Sequence, residues 1–191
     1  LSATKKNILL IPGASHKSKC YPTSNLAKLS TLIDANFLIL WGSLNEKIMA
    51  EKIKAQAPNV SICEKLSIEA LISLIRSVDL VIGPDTGPTH IAWALNIPSI
   101  TLFGPTPGYR NSYLTKKNRI IQSKSNVNPL KINKKDLSII TFGLNNEIIN
   151  PLLHGEISTI NNFFRLNNIA KLHYHMEIYC SQNEEGFASI S

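Results

Sequence analysis

The chain has 191 residues, of which 43% are hydrophobic and 17% charged, the balance of a globular protein with one good core and room for an appended tail. Its apolar runs stop near five or six residues, which excludes a membrane-spanning helix, and the start Leu1-Ser2-Ala3-Thr4-Lys5-Lys6-Asn7 lacks the apolar region of a signal peptide, so the cytoplasm is expected. A formal net charge of +7 and a pI near 9.4 ask for an anionic partner, but the aromatic residues do not interleave with the Lys/Arg clusters and no nucleic-acid motif is present, which leaves a phosphorylated substrate, an anionic membrane face or a solvated basic surface.

In chain order, Asn7 to Ile11 (N-I-L-L-I) reads as a buried strand stopped by Pro12-Gly13, and the loop A-S-H-K-S-K-C-Y follows. Pro22 with Thr23 or Ser24 opens a helix carrying Leu26, Leu29, Leu32 and Ile33 at helical spacing. Phe37 to Trp41 is the second strand. Leu44 to Ala57 is the second helix, with Ile48, Met49, Ile53 and Ala57 on one side, and Asn59 to Cys63 is the third strand. Ser67 starts a helix with Leu71, Ile72, Leu74 and Ile75, after which Leu80 to Ile82 forms a fourth strand broken by Gly83-Pro84. Ile91, Ala92, Ala94 and Leu95 give the next helix its apolar face before Asn96 and Pro98 end it; Ile100 to Phe103 and Arg119 to Gln122 are the last two strands. Short strands alternating with helical stretches predict an α/β fold, a doubly wound parallel sheet with helices on both faces.

Past Ser123 the periodicity fades. Glu147 to Leu153 and Ile157 to Tyr179 are candidate helices and Cys180 to Ser191 reads as disordered, so the expected division is a domain over residues 1–155 and a helical or disordered tail over 156–191. Cys20, Cys63 and Cys180 are odd in number and widely spaced, without a C-x-x-C or a nearby His pair; they read as reduced thiols, and no structural metal is expected.

The working end is expected at G-P-D-T-G-P-T-H. In a parallel sheet, a turn from a strand's carboxyl end into a helix aims free N–H groups and the positive end of the helix dipole at one spot, which favours a phosphate. Asp85 or Thr86 can cap this helix, and Gly87 lets the backbone approach a ligand closely. The plainer alternative is a strand-to-helix turn with Asp85 as cap and His90 packed inside. Neither G-x-G-x-x-G nor G-K-[ST] is present, so the usual dinucleotide and P-loop patterns do not apply.

Three segments bring in a family. P-G-A-S-H-K-S-K-C-Y-P after strand one, W-G-S-L-N-E after strand two and G-P-D-T-G-P-T-H-I-A-W-A-L-N-I-P-S-I-T-L-F-G-P-T-P after strand four together resemble the ADP-heptose:lipopolysaccharide heptosyltransferases, glycosyltransferases of the two-Rossmann-domain GT-B type. The likeness covers about Asn7 to Tyr113 and is to the carboxyl-terminal, donor-binding half; the D-T-G form resembles heptosyltransferase I, the second enzyme usually showing D-S-G. It implies a Gram-negative source, work at the cytoplasmic face of the inner membrane in peripheral contact with its anionic surface, and no cofactor or metal. It also implies that Ser15 and Lys19 contact the diphosphate of an ADP-heptose donor, Glu46 the ribose, Leu66 the adenine and Asp85 hydroxyls of the heptose. Thr86 and Gly87 then serve the phosphates, and His90 is a donor-site histidine. The acceptor is then the Kdo region of inner-core lipid A, and transfer is inverting. The carboxylate base that activates the acceptor hydroxyl belongs, in the family, to an amino-terminal half that this chain lacks, so the chain alone is expected to be inactive, as a fragment or part of a split enzyme. A nucleotide-sugar epimerase of the same architecture and a non-catalytic nucleotide-sugar binding module are the alternatives.

Overall fold

In the computed structural model, which describes residues 1–122 apart from 105, 107, 113 and 114, the first apolar run forms β1 (Asn7–Leu10), inaccessible on both faces from Ile8 to Leu10. The remaining elements are α1 (Thr23–Leu32), β2 (Asn36–Ile39), α2 (Leu44–Gln56), β3 (Ser61–Ile62), α3 (Ile68–Ser77), β4 (Leu80–Pro84), α4 (Gly87–Ala94), β5 (Ser99–Phe103), α5 (Gly108–Asn111) and β6 (Asn118–Gln122). All strand pairs are parallel, in the order β3-β2-β1-β4-β5-β6. The chain therefore winds outward from β1 in one direction and from β4 in the other. This is the doubly wound Rossmann-like order, and its reversal point, between β1 and β4, is where loops part to leave a crevice.

The right-handed rule for parallel crossovers puts α1 and α2 on one face and α3 and α4 on the other. Leu9, Ile11, Val81, Ile75 and Ala92 form a buried cluster on the α3/α4 face, with Leu66, Leu71 and Leu74 packed against it. Alternation along the strands sends Ile8, Leu10, Leu80 and Ile82 the other way, where Leu26, Leu29, Ala50 and Ile53 are also buried.

Most expected boundaries shift by a residue or two, because the ladder outlasts the apolar run or stops short of it. Ile11 still donates to Ile82 O at 2.8 Å and Leu40 to Leu10 O at 2.9 Å beyond the strand ends. Gly83 and Pro84 do not break β4; they are its last residues, in register with Thr101 and Leu102 of β5. Glycine is required at 83 by close approach, since a Cβ there would lie 2.7 Å from Ile11 Cβ and 3.2 Å from Thr89 Cγ2. Thr86, not Asp85, is the N-cap of α4, its N–H bonding Thr89 Oγ1 at 3.2 Å. At the other end Asn96 takes φ 55°, and Ile97 N–H to Ala92 O and Asn96 N–H to Trp93 O, both 2.9 Å, close a Schellman motif.

Leu32, Ile48 and Ala94 are exposed rather than on the buried stripes expected of them; Ala50, Ile53 and Ala57 carry the α2 stripe. Ile48 lies off that stripe because Ala50, Ile53 and Ala57 repeat at the three- and four-residue steps of one helix face. Two short elements, a 3₁₀ turn (Lys17–Lys19) and α5, occupy stretches expected to be loops. The described residues lie within the unit Leu1–Asn146; the proposed boundary at 155, the candidate helices from 147 onward and Cys180 fall outside them. Cys20 and Cys63 are free thiols. No helix among the described residues is long and apolar enough to cross a membrane.

Gly83→Ala is expected to destabilise the domain by roughly 1–3 kcal/mol, the usual range for overpacking a tight contact. Urea unfolding measures it; a change within error would mean that Ile11 and Thr89 shift freely and that the β1–β4–α4 junction is loosely packed.

Candidate functional site

Because every strand is parallel, the loops that follow β1 to β5 all emerge on one edge of the sheet. After β1 the chain passes Pro12 and Gly13 into the 3₁₀ turn, closed by Lys19 N–H to His16 O at 3.0 Å and Cys20 N–H to Lys17 O at 3.1 Å. That turn directs Lys19 across the β1/β4 reversal point, where its Nζ lies 2.7 Å from Asp85 Oδ2. Asp85 follows directly on β4 and is 6% exposed, against 16% for the Lys19 side chain.

The carboxylate has further partners. His90, one turn into α4, places Nε2 2.9 Å from Asp85 Oδ1, and since an ionised carboxylate only accepts, that nitrogen carries the proton. Asn111, at the end of α5, donates through Nδ2 to Oδ2 at 3.1 Å. Burial alone pushes the Asp85 carboxyl up, but the hydrogen bonds from Lys19, His90 and Asn111, with the charge of Lys19, outweigh it and hold the group below the ordinary aspartate range. His90 is stacked on Trp93, ring centres 4.4 Å apart, with its side chain 47% exposed.

Lys19, Asp85 and His90 are thus brought together, with Asn111 as a member that the sequence did not single out. No periodicity marks Asn111 in the stretch Y-R-N-S-Y, and only the folding of α5 against the sheet carries it to Asp85. Asp85 is a buried acceptor of side-chain donors rather than a helix cap. Gly87 opens α4 facing solvent, with nothing within 4 Å of the place a Cβ would take. Pro88 contributes no N–H, and the Thr86 N–H already bonds Thr89 Oγ1, so the first turn offers an incoming anion fewer donors than an ordinary helix start.

The other expected residues surround this centre at varying depth. Ser15 is exposed on the loop ahead of the 3₁₀ turn. Glu46 Oε2 accepts from Gly42 and Ser43 N–H, both at 2.8 Å, while Ser43 Oγ accepts from Glu46 N–H at 3.3 Å, a reciprocal capping box that the S-x-x-E spacing encodes. Its second oxygen faces the β1 turn so closely that a Cβ on Gly13 would fall 2.4 Å from Oε1. Leu66, between β3 and α3, is half-buried against the α3/α4 core. Trp41, two residues past β2, donates through Nε1 to Cys63 O at 2.7 Å, with Lys47 Nζ 5.3 Å from the ring centre. The edge therefore presents, from β3 across β2 and β1 to β4, an apolar side chain, a carboxylate, a lysine beside an open helix start, and a buried carboxylate. That order suits an elongated ligand with an apolar end, hydroxyls and an anionic middle.

Comparison with known proteins identifies the family and the fold. The family description "glycosyltransferase family 9 (heptosyltransferase)" matches residues 1–138. Lipopolysaccharide heptosyltransferase 1 of Campylobacter coli is 42% identical over 152 residues, which are 74% of this chain and 44% of that protein. Among solved structures, E. coli heptosyltransferase WaaC with ADP superposes with a TM-score of 0.59 at 19% identity, over 72% of this chain and 42% of that one. E. coli ADP-heptose lps heptosyltransferase II gives 0.57 at 21% identity, over 88% and 49%. At those identities the two structures share the fold with this chain, which spans less than half the length of each of these three relatives.

A carboxyl held below its unfolded value binds fewer protons in the folded state, so its stabilisation is complete above the ordinary aspartate range, near pH 4, and is lost as the pH falls toward the folded value. The melting temperature of the unaltered chain is expected to fall on acidification below about pH 4, and that of Asp85→Asn to fall less steeply, Asp79 beside Lys6 accounting for part of the remaining slope. Thermal melts between pH 3 and 7 decide this; parallel curves would show that the Asp85 contacts do not favour its charged form.

Proposed function

This chain belongs to glycosyltransferase family 9, the heptosyltransferase family, and we propose that it is the donor-binding half of a lipopolysaccharide heptosyltransferase, taking heptose from ADP-heptose to the Kdo region of inner-core lipopolysaccharide with inversion. The observation that carries this reading is the meeting of Lys19 and Asp85 at the β1/β4 reversal point, 2.7 Å apart beside the start of α4. A cation and a buried carboxylate there match the two needs of the donor: neutralisation of a diphosphate and hydrogen-bond acceptors for a sugar.

In this reading Ser15 and Lys19 hold the diphosphate, aided by Thr86 and by the Gly87 N–H at the open helix start. Glu46 keeps Oε2 on its capping bonds and offers Oε1 to the ribose. Leu66 lies against the adenine, and Asp85, backed by His90, accepts from heptose hydroxyls. The chemistry is leaving-group stabilisation: as the bond from the sugar's anomeric carbon to the phosphate oxygen breaks, negative charge grows on the departing diphosphate, and a lysine and the Gly87 N–H already in place lower that barrier electrostatically. Deprotonation of the acceptor hydroxyl is assigned to a carboxylate of an acceptor-binding half, as is contact with the Kdo-lipid A acceptor and with the anionic inner membrane on the cytoplasmic side. The division into a donor domain over residues 1–155 and a tail over 156–191 is part of the same proposal, and no metal is required by it.

Two calorimetric measurements test the reading. ADP is expected to bind in preference to GDP and UDP, and binding that favours UDP, or none by a folded chain, would sink it. Lys19→Ala is expected to weaken ADP by roughly 1.5–3 kcal/mol, the range for a hydrogen bond to a charged group, while leaving adenosine almost unchanged. Equal losses for both ligands would make Lys19 a structural partner of Asp85 and nothing more.

A further inference from the structure

The third donor on Asp85 comes from an element with its own support. Gln122, at the end of β6, accepts from the Gly108 N–H at 2.7 Å and turns its amide nitrogen to the carbonyls of Gly104, 3.1 Å away, and Thr106, 3.3 Å away. One side chain thereby fastens the β5–α5 loop to the sheet. Gly108 is seated with no spare room, since a Cβ there would lie 2.8 Å from Ile120 Cγ2 and 3.2 Å from Phe103 Cδ2. α5, and hence Asn111, is held by β5 and β6 in addition to its bond to Asp85.

The distribution of donors on the carboxylate gives this a use. Lys19 and Asn111 share Oδ2 while His90 holds Oδ1. A diphosphate that draws Lys19 Nζ toward itself lengthens the contact with Oδ2, and without another donor on that oxygen the carboxylate would be held by His90 alone and could swing about its bond to Cβ. Asn111 prevents this. With Asn111 on one oxygen and His90 on the other, the plane stays fixed, and each oxygen, with room for about two hydrogen bonds, keeps one open site for a sugar hydroxyl.

We propose that Asn111 is a positioning residue, which holds the Asp85 carboxylate in place for the donor sugar when Lys19 turns to the diphosphate. The inference rests on the donor-site reading above and adds a specificity element from α5: Asn111 governs the preference for ADP-heptose over ADP, and leaves the affinity for ADP itself alone.

The test compares the unaltered chain with Asn111→Leu, which removes the donor and keeps the bulk. Calorimetry with ADP and ADP-heptose is paired with titration of the Asp85 carboxyl carbon by NMR in the ligand-free protein. The expected result is that ADP affinity stays within about twofold, the ADP-heptose preference falls about tenfold, as for loss of a hydrogen bond to a charged group, and Asp85 titrates at higher pH than in the unaltered chain. Both the preference and the titration must move. Either one unmoved, or equal losses for the two ligands, overturns the proposal. Should Asn111→Leu fail to fold, Asn111→Ser, too short to reach Asp85, carries the same comparison. An unaltered chain that binds neither ligand refutes the donor-site reading itself and this inference with it, an outcome distinct from an unaltered chain that discriminates and a variant that discriminates equally well.

Discussion

A buried carboxylate needs donors, and in this domain the donors to Asp85 are assembled from three separate parts of the chain: Lys19 from the loop after β1, His90 from α4 and Asn111 from α5. An ion taken out of water loses several kcal/mol of solvation, which only close, well-aimed partners return. Asp85 is 6% exposed, so the arrangement of those loops is as much a condition for burying it as a consequence of the fold. The pair with Lys19 also crosses the line where the sheet reverses its winding, and so ties the half built outward from β1 to the half built outward from β4.

The parallel order explains why a site exists there at all. Consecutive outward crossovers leave β1 and β4 as neighbours whose following loops diverge, one toward α1 and one toward α4, and the space between them is lined by whatever those loops carry. Tight packing directly beneath sets the geometry. Gly83 brings β4 against Ile11 and α4, and Gly13 brings the β1 turn against Glu46. The segments that carry Lys19, Glu46 and Asp85 are therefore tied to the sheet and to one another, suited to holding side chains in place before a ligand arrives.

The site joins opposing electrostatic demands. A phosphate wants the lysine and the open start of α4, and a sugar wants the carboxylate, yet in the free domain the two side chains satisfy each other. The same ion pair that permits burial of Asp85 keeps Lys19 extended toward the place where a diphosphate is proposed to lie, and on that proposal ligand binding is an exchange of partners rather than a search by a free side chain. Glu46 shows a related economy: one oxygen is committed to the capping box of α2, and the carboxylate is thereby held rigid with its other oxygen facing the β1 turn.

Much of this was readable from the residues alone, and the reasons are local. Short continuous apolar runs such as N-I-L-L and S-I-T-L-F, bounded by turn residues, read as strands covered on both faces, and their alternation with helical stretches predicts a parallel α/β sheet; of the residues that the motifs singled out, Lys19, Asp85 and His90 come into contact in the fold. Local chemistry also encodes the capping box of Ser43 and Glu46, through the S-x-x-E spacing. What the sequence could not decide was whether Asp85 caps α4 or faces the crevice, since aspartate suits both positions equally; the register of β4, which runs on through Gly83 and Pro84 to leave Thr86 at the cap, settled that. Nor could it place Asn111, whose approach to Asp85 joins residues 26 positions apart through the docking of α5 on β5 and β6. Contacts of that kind depend on how neighbouring strands stack side by side, and no periodicity along a single segment carries that information.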